Sequence, residues 1–308
     1  MRAAAIRAFG GADQLEEMEL PKPEAGAGQV LVHVKAAGVG PWDIGAREGH
    51  FGPLEFPHIL GFEAAGVIEA VGPDVSGFEV GGEVYTYCYP SGGYAEYVAA
   101  NADTTAAKPK SLDFVEAAAV PVCGLSAHQG VVDELGVSEG QTILIAGAAG
   151  GVGTYAVQVA AAQGATVIAH ARREHHAFLR ELGADEVVDY RDEDWVSQVR
   201  AAHPGGVDAL LDTIGGEVLA GCFEAVRDGG RAASLIPGPA PEAPRGIQFH
   251  QFNGIPDGAR LALLGQLVDQ GSLRVIVQEV VPLARAREAH KMLEDHAVRG
   301  KVVLRVDE

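Results

Sequence analysis

Residues 142–153 read TILIAGAAGGVG, and this stretch decides the fold. Its first half is a continuous apolar run, as in parallel strands that are buried on both faces. Its second half places Ala148, Gly150 and Gly153 at the three positions of the G-x-G-x-x-G dinucleotide fingerprint. Gly150 lets the backbone approach a pyrophosphate, and Gly153 lets helix and strand pack closely. We predict a dinucleotide-binding loop here; the alternative is an ordinary glycine-rich turn.

Strands and helices alternate around this loop. The predicted strands cover residues 142–146, 166–169, 186–189, 207–211 and 231–236, with helices at 153–163 and 174–182. Such alternation indicates a parallel sheet wound by right-handed crossovers. We therefore predict an α/β chain in which residues 116–254 form a Rossmann domain with a doubly wound parallel sheet.

The first 115 residues have a different pattern, with short strands separated by glycine and proline. The predicted strands cover residues 29–36, 67–71, 83–87 and 94–98, with a turn at 60–63 and a helix from Asp113 to Ala119 capped by Ser111 or Asp113. Near the C-terminus we predict helices at 257–270 and 283–295 and strands at 273–280 and 301–306. These last strands could rejoin the N-terminal region, so we predict a discontinuous β-rich domain over 1–115 and 255–308.

Composition excludes several classes of function. The 308-residue chain has a formal net charge of −19, which repels nucleic acid and anionic membranes. No apolar run is long enough to span a membrane, and the N-terminus lacks the features of a signal peptide. The three cysteines form no C-x-x-C pair, so neither a disulfide framework nor a four-thiolate zinc site is expected. We predict a cytoplasmic protein with a small-molecule substrate.

The second strand of the Rossmann unit indicates which dinucleotide binds. NAD sites usually place Asp or Glu about 20 residues into the unit, where it holds the ribose 2′-hydroxyl. Residues 169–173 instead read AHARR, with no carboxylate. Arg172 and Arg173 are placed to pair with a 2′-phosphate. This favours NADPH over the alternative of a solvated helix start.

Further motifs run along the whole chain. They read AAGVGPWD (36–43), HILGFEAAGVI (58–68), GLSA (124–127), GAD (183–185), VDY (188–190), DTIGG (212–216) and GKVVL (300–304). Together with the loop at 148–153, they resemble the zinc-free quinone oxidoreductase branch of the medium-chain dehydrogenase/reductase superfamily. The resemblance implies a GroES-like catalytic domain beside the Rossmann domain, an active site in the cleft between them, and a homodimer.

The resemblance also implies a set of cofactor contacts. They map onto Ser126, Gly150, Gly151, Val152, Arg173, Tyr190 and the strand end near Ile236. We assign His170, Thr213 and Lys301, which lie in or beside the motifs, to the same site. The Tyr190 hydroxyl would bond the adenosine phosphate; its alternative role is a half-buried aromatic at a strand end.

Zinc alcohol dehydrogenases of the same superfamily carry Gly-His-Glu where this chain has Gly61-Phe62-Glu63. Their first cysteine ligand aligns near Gly40, and only Cys123 remains at a ligand position. A catalytic zinc needs about three protein ligands, so we predict no metal and treat Cys123 as a small core or pocket residue. His175, His176, His290 and His296 lack ligand spacing and are predicted to lie at the surface.

The predicted substrate pocket contains Trp42, Asp43, Phe51, Phe62 and Cys123. Asp43 has the alternative role of a turn or ion-pair residue. Many family members carry Asn where Gly40 stands, so this chain lacks that polar group. No catalytic residue or proton donor is assigned.

Without a zinc Lewis acid, hydride addition to a quinone or an enone is easier than alcohol oxidation, because the product anion is delocalised. We predict an NADPH-dependent reductase of such acceptors. The alternatives are an enoyl-thioester or biosynthetic tailoring reductase on the same fold, and a non-catalytic NADPH-binding sensor.

Overall fold

The computed structural model describes residues 1–88, 90–295 and 298–306. Their strands are β1 (Arg2–Ile6), β2 (Glu16–Glu19), β3 (Gln29–Val39), β4 (His58–Ile59), β5 (Glu63–Val71), β6 (Glu83–Tyr87), β7 (Tyr97–Asn101), β8 (Thr105–Ala107), β9 (Thr142–Ala146), β10 (Thr166–His170), β11 (Glu186–Val188), β12 (Val207–Asp212), β13 (Val226–Ser234), β14 (Gln248–Gln251), β15 (Val277–Pro282) and β16 (Lys301–Arg305). Their α-helices are α1 (Pro41–Glu48), α2 (Phe114–Ala117), α3 (Pro121–His128), α4 (Gly151–Ala162), α5 (His176–Glu181), α6 (Trp195–Ala202), α7 (Gly216–Phe223), α8 (Gly258–Asp269) and α9 (Ala286–Glu294).

Shorter helical segments complete the secondary structure. They are 3₁₀ turns at Ala12–Gln14, Ala102–Thr104, Arg173–His175 and Leu283–Arg285, and a π-helical segment at Gln129–Glu134 that continues α3. No helix within the described residues is long and apolar enough to cross a membrane.

The chain divides into two compact units. The first comprises Met1–Leu125, Pro256–Gly271 and Val275–Glu308, and the second comprises Ser126–Ile255 and Ser272–Arg274. Residues 116–125, predicted with the Rossmann domain, lie in the first unit. The reason is local: the backbone N–H of Val122 donates to the Glu63 carboxylate at 2.8 Å, which ties this segment to β5.

The first unit is built on two sheets. One has the strand order β2-β1-β4; the other has the order β15-β16-β3-β5-β6-β8, with β7 also pairing with β3. Strand β16 pairs antiparallel with β3, with Val302 opposite Val39. The C-terminal strands therefore extend the sheet that the N-terminal strands begin.

The second unit contains the predicted Rossmann sheet, which the structure confirms. Its strand order is β11-β10-β9-β12-β13-β14, and every pairing is parallel. Counted from β9, this is the order 3-2-1-4-5-6 of dinucleotide-binding folds. The order reverses at β9, so the glycine-rich loop after β9 lies at the switch point where such folds bind their ligands.

Several element boundaries differ from the sequence predictions. The helix predicted over 174–182 is split into a 3₁₀ turn and α5, because the His175 N–H donates to Arg172 three residues earlier. The strand predicted over 94–98 begins three residues later, at Tyr97. The edge strand β14 has the sequence QFHQ and is largely exposed. Because it lacks an alternating apolar pattern, the sequence does not predict this strand.

His290 corrects the prediction that the histidines outside the motifs lie at the surface. Its side chain is fully buried, whereas His175 and His176 are half-buried and His296 lies outside the described residues. An Arg47 N–H lies 3.1 Å from His290 Nδ1. Arginine can only donate, so Nδ1 accepts and the proton sits on Nε2, facing the Tyr94 hydroxyl at 3.4 Å.

This buried ring makes stability depend on pH. Burial, with the Arg47 charge, lowers the pKa of His290 from 6.5 to about 3. On acidification the unfolded chain takes up this proton first, so the stabilisation is complete above about pH 6.5 and is lost as pH falls toward 3.

We predict that His290→Gln makes the free energy of unfolding less sensitive to acid. Glutamine can accept from Arg47 and donate to Tyr94 but cannot ionise. Between about pH 7 and pH 5 the wild type should lose about 2 kcal/mol more than the variant. Urea unfolding at both pH values measures this difference, and equal losses in the two proteins would contradict the assignment.

Candidate functional site

The glycine-rich loop of the second unit is shaped for close approach. Gly147 has φ +76°, a conformation that L side chains rarely adopt. A Cβ on Gly147 would overlap the Thr213 hydroxyl, and a Cβ on Gly153 would overlap the Gly147 carbonyl. The Thr213 hydroxyl donates to the carbonyl of Ala146 at 2.8 Å. The predicted residues Ala148, Gly153 and Thr213 thus belong to one tightly packed turn.

Helix α4 leaves this turn with its N-terminus free of acidic side chains. It begins at Gly151, with Gly150 as an extended N-cap that makes no side-chain hydrogen bond. Val152 follows in the first turn and is half-buried. The positive end of the helix dipole and its free N–H groups therefore remain available to an anion.

One carboxylate that sequence reasoning did not single out organises the neighbouring loop. Asp212, the last residue of β12, accepts hydrogen bonds from the N–H groups of Ile214 and Gly215 and from the Ser234 hydroxyl at 2.6 Å. Ser234 Oγ in turn accepts from the Ile236 N–H at 3.1 Å. The sequence feature that could have indicated this role is the DTIGG motif (212–216), in which an Asp ends a strand and a Gly-Gly pair follows two residues later.

His170 ends β10, twenty positions after Gly150, where NAD enzymes hold a carboxylate. Its ring packs against Trp195 at 4.6 Å and Tyr190 at 5.5 Å between centroids. Nothing in the described part of the chain hydrogen bonds to its buried Nε2. Burial lowers the pKa of His170 to about 4, so the ring is neutral at physiological pH.

The two predicted arginines follow directly, and Tyr190 joins them. Arg172 Nε donates to the Tyr190 hydroxyl at 2.8 Å. The Arg173 guanidinium is 75% exposed and pairs with Asp192 at 3.1 Å, while its backbone N–H donates to Asp189 at 2.9 Å. The structure therefore brings His170, Arg172 and Tyr190 together, beside an Arg173 whose guanidinium pairs with Asp192 and whose backbone N–H is held by the buried Asp189.

Two further predicted cofactor residues belong to other elements. Ser126 is buried in α3 at the start of the second unit. Lys301 opens β16 in the first unit, where it is 3% exposed and pairs with the fully buried Glu63. Its ammonium also donates to the Val39 carbonyl at 2.8 Å. Sequence reasoning missed this ion pair because its partners are 238 residues apart.

The Asp43 side chain stabilises a turn, which is the alternative role considered for it above. Its fully buried carboxylate accepts from the N–H of Gly40 at 2.8 Å and from that of Phe62 at 3.2 Å, and the Tyr94 hydroxyl is a further partner. Burial raises the pKa of Asp43 to about 7, with these backbone bonds acting against the rise. Asp43 thus joins the start of α1 to the Phe62 turn.

The other predicted pocket residues surround this turn. Phe62 makes edge-on contacts with Phe51 at 5.9 Å and Tyr87 at 6.4 Å. Phe51 is 58% exposed, whereas Phe62 and Cys123 are buried. Trp42 is half-buried, and the Lys301 ammonium lies 4.7 Å from the centre of its ring.

Comparison with known proteins identifies the family. Residues 26–110 match the family described as "Alcohol dehydrogenase GroES-like domain", and residues 182–304 match "Zinc-binding dehydrogenase". The quinone oxidoreductase of Sus scrofa is 31% identical, over 99% of this chain and 97% of its own length. The chain belongs to the medium-chain dehydrogenase/reductase superfamily, in its quinone oxidoreductase-like branch. The predicted GroES-like and Rossmann fold class is thereby confirmed.

Solved structures of other medium-chain dehydrogenases/reductases agree with this assignment. An NAD-dependent alcohol dehydrogenase is 38% identical, with a TM-score of 0.92 and 100% of both chains covered. A mycobacterial protein complexed with NADPH is 30% identical, with a TM-score of 0.91 and coverage of 99% of this chain and 100% of the other. One of these proteins is described as NAD-dependent and the other is complexed with NADPH. Any inference about the cofactor of this chain must therefore come from its own residues.

Many members of this superfamily hold zinc, but the residues of this chain do not fit that metal. Phe62 offers no ligand atom, and the Glu63 carboxylate is bonded to Lys301. Cys123 is a single buried thiol, whereas a catalytic zinc needs about three protein ligands. Within the described ranges, no three His, Cys, Asp or Glu side chains are grouped as metal ligands.

We predict that Gly153→Ala disrupts the phosphate loop. Its Cβ would overlap backbone atoms of Gly147 and Ala148, which cannot rotate away. The free energy of unfolding should fall by about 1–3 kcal/mol, and NADPH binding should weaken at least about tenfold.

Gly221→Ala is the matched control for this variant. Gly221 lies in α7 with open space where its Cβ would be, so stability should rise by up to about 1 kcal/mol. Thermal unfolding and calorimetric NADPH titration measure both effects, and indistinguishable behaviour of the two variants would refute the close-approach argument.

Proposed function

We propose that this protein is a zinc-independent, NADPH-dependent reductase that delivers hydride to a quinone or an α,β-unsaturated carbonyl compound. One observation carries the choice of cofactor. The end of β10 holds a neutral His170 in place of a carboxylate, and Arg172 follows, linked to Tyr190 at 2.8 Å. Arg172 pairs with the exposed Glu174 at 3.8 Å; a 2′-phosphate would offer its guanidinium a closer anion, and an NAD ribose would not.

The residues of the second unit fit the dinucleotide. Gly150, Gly151 and Val152 would meet the pyrophosphate with backbone N–H groups at the α4 N-terminus. His170 Nε2 is buried and has no hydrogen-bond partner within the described residues, so it can form one hydrogen bond with the cofactor. We also assign Ser126, Thr213 and Ile236 to the cofactor site. Lys301 would act on this site indirectly, by stabilising the first unit through its ion pair with Glu63.

NADPH, when bound, supplies the hydride. The chain supplies binding, orientation and hydrogen bonds, because no zinc ligand set among the described residues could stabilise an alkoxide. Reduction of a quinone or an enone places negative charge on a conjugated oxygen, and that charge is delocalised. Trp42, Phe51 and Phe62 would enclose such a flat apolar acceptor, with Asp43 holding the turn and Cys123 packing behind it.

We also propose a cellular location, the classes of partner and an oligomeric state. The three cysteines are buried free thiols, a state that the reducing cytoplasm preserves. The net charge of −19 disfavours nucleic acid and membrane surfaces as partners. We assign a homodimer; the described strands leave β14 as an open edge of its sheet, and open edges favour pairing with another chain.

The direct test is a steady-state assay that follows nicotinamide oxidation. NADPH and NADH are run in parallel with duroquinone and 2-cyclohexen-1-one as acceptors. The proposal predicts turnover with a higher kcat/KM for NADPH. Tight NADPH binding without turnover of either acceptor would contradict the reductase and favour a specialised thioester substrate or a sensor.

We predict that the double variant Arg172→Ala/Arg173→Ala loses selectivity for NADPH. Charge-assisted bonds to phosphate contribute about 1.5–3 kcal/mol each, so kcat/KM for NADPH should fall by about 100-fold while that for NADH changes little. Arg180→Ala, an exposed arginine of α5, is the matched control and should keep the wild-type ratio. An equal fall with both cofactors would refute 2′-phosphate recognition.

A further inference from the structure

The Trp42 indole occupies the space of the side chain that residue 40 lacks. Gly40 has φ −145° and ψ 169°, an extended conformation open to any residue. A Cβ on Gly40 would nevertheless overlap three ring carbons of Trp42. The indole, and not the backbone, therefore requires glycine here. The indole thus fills the place next to residue 40 where many relatives carry an asparagine side chain.

The polar atom of this indole is buried without a partner. Trp42 Nε1 is shielded from solvent, and no atom of the described residues accepts its hydrogen bond. A buried donor left unsatisfied costs about 1–3 kcal/mol, and such atoms are rare in native proteins. Indole nitrogen only donates, so the group that completes this site must bring an acceptor oxygen or nitrogen.

A buried cation strengthens this donor. The Lys301 ammonium lies 4.7 Å from the centre of the Trp42 ring and is fixed by Glu63 and by the Val39 carbonyl at 2.8 Å. A cation over the ring face draws on its π electrons, which polarises the N–H bond. Lys301 therefore acts on the acceptor through the indole and need not reach it.

We infer that the Trp42 indole N–H donates a hydrogen bond to the carbonyl oxygen of the acceptor. The inference rests on the proposed function and names the group that meets its substrate. As hydride adds to the β-carbon of the conjugated acceptor, the C=C pair shifts toward the carbonyl carbon and the C=O π pair moves onto oxygen, and the N–H stabilises the resulting enolate. Trp42 keeps its proton, and water supplies the proton that completes the product.

The first test observes the hydrogen bond without turnover. The chain has two tryptophans, so ¹H–¹⁵N spectra of indole-labelled protein show two Nε1–H signals, and Trp42→Phe assigns them. In the NADP⁺ complex, 2-cyclohexen-1-one should move the Trp42 proton signal downfield and leave that of Trp195 in place. Turnover of this enone with an unmoved Trp42 signal overturns the inference alone. Absence of both binding and turnover overturns the proposed function, and the inference with it.

The second test removes the donor and then restores it. Trp42→Phe should lower kcat by about 10- to 100-fold with little change in the KM for NADPH, and a kcat within about threefold of wild type would overturn the inference. Gly40→Asn/Trp42→Ala returns a donor to the same space, whereas Gly40→Leu/Trp42→Ala returns only similar volume. The Asn variant should exceed the Leu variant at least about tenfold in kcat, and equal rates would contradict a role for the donor.

Discussion

The buried ion pair between Lys301 and Glu63 is the contact on which the first unit depends. It joins β16 to β5, and the second carboxylate oxygen of Glu63 holds the N–H of Val122 at 2.8 Å. Breaking a buried pair by removing one partner typically costs about 3–5 kcal/mol. The pair therefore fixes the C-terminal strand in the N-terminal sheet and positions the first turn of α3. It also places a cation 4.7 Å from the centre of the Trp42 ring.

Carboxylates hold the loops of both units in the same way. Asp43, Asp189 and Asp212 each accept two or more hydrogen bonds, largely from backbone N–H groups of the following or neighbouring turn. Each of these carboxylates thereby holds a turn in place. In an acidic chain, this arrangement leaves the helix N-terminus, His170 and Arg172 as the groups that favour a phosphate. In the function that we propose, the chemistry of the site rests on hydrogen-bond donors of the chain.

Local sequence pattern predicted the parts of the fold that depend on neighbours in sequence. The run from Thr142 to Gly153 predicted β9, its turn and α4 because apolar periodicity and glycine requirements are local properties. The packing of Trp42 against Gly40, and the contact of Arg47 with His290 across 243 residues, depend on tertiary structure. The periodicity of a sequence does not indicate contacts between distant residues. The burial of His290 and the position of the Trp42 N–H therefore cannot be predicted from it.

We propose that this member of the superfamily reduces its acceptor without zinc. The decisive experiment is metal analysis of the active protein, together with its NADPH oxidation rate before and after dialysis against a chelator. We expect a zinc content far below one per chain and an unchanged rate. About one zinc per chain, with activity lost on chelation and restored by zinc, would contradict it.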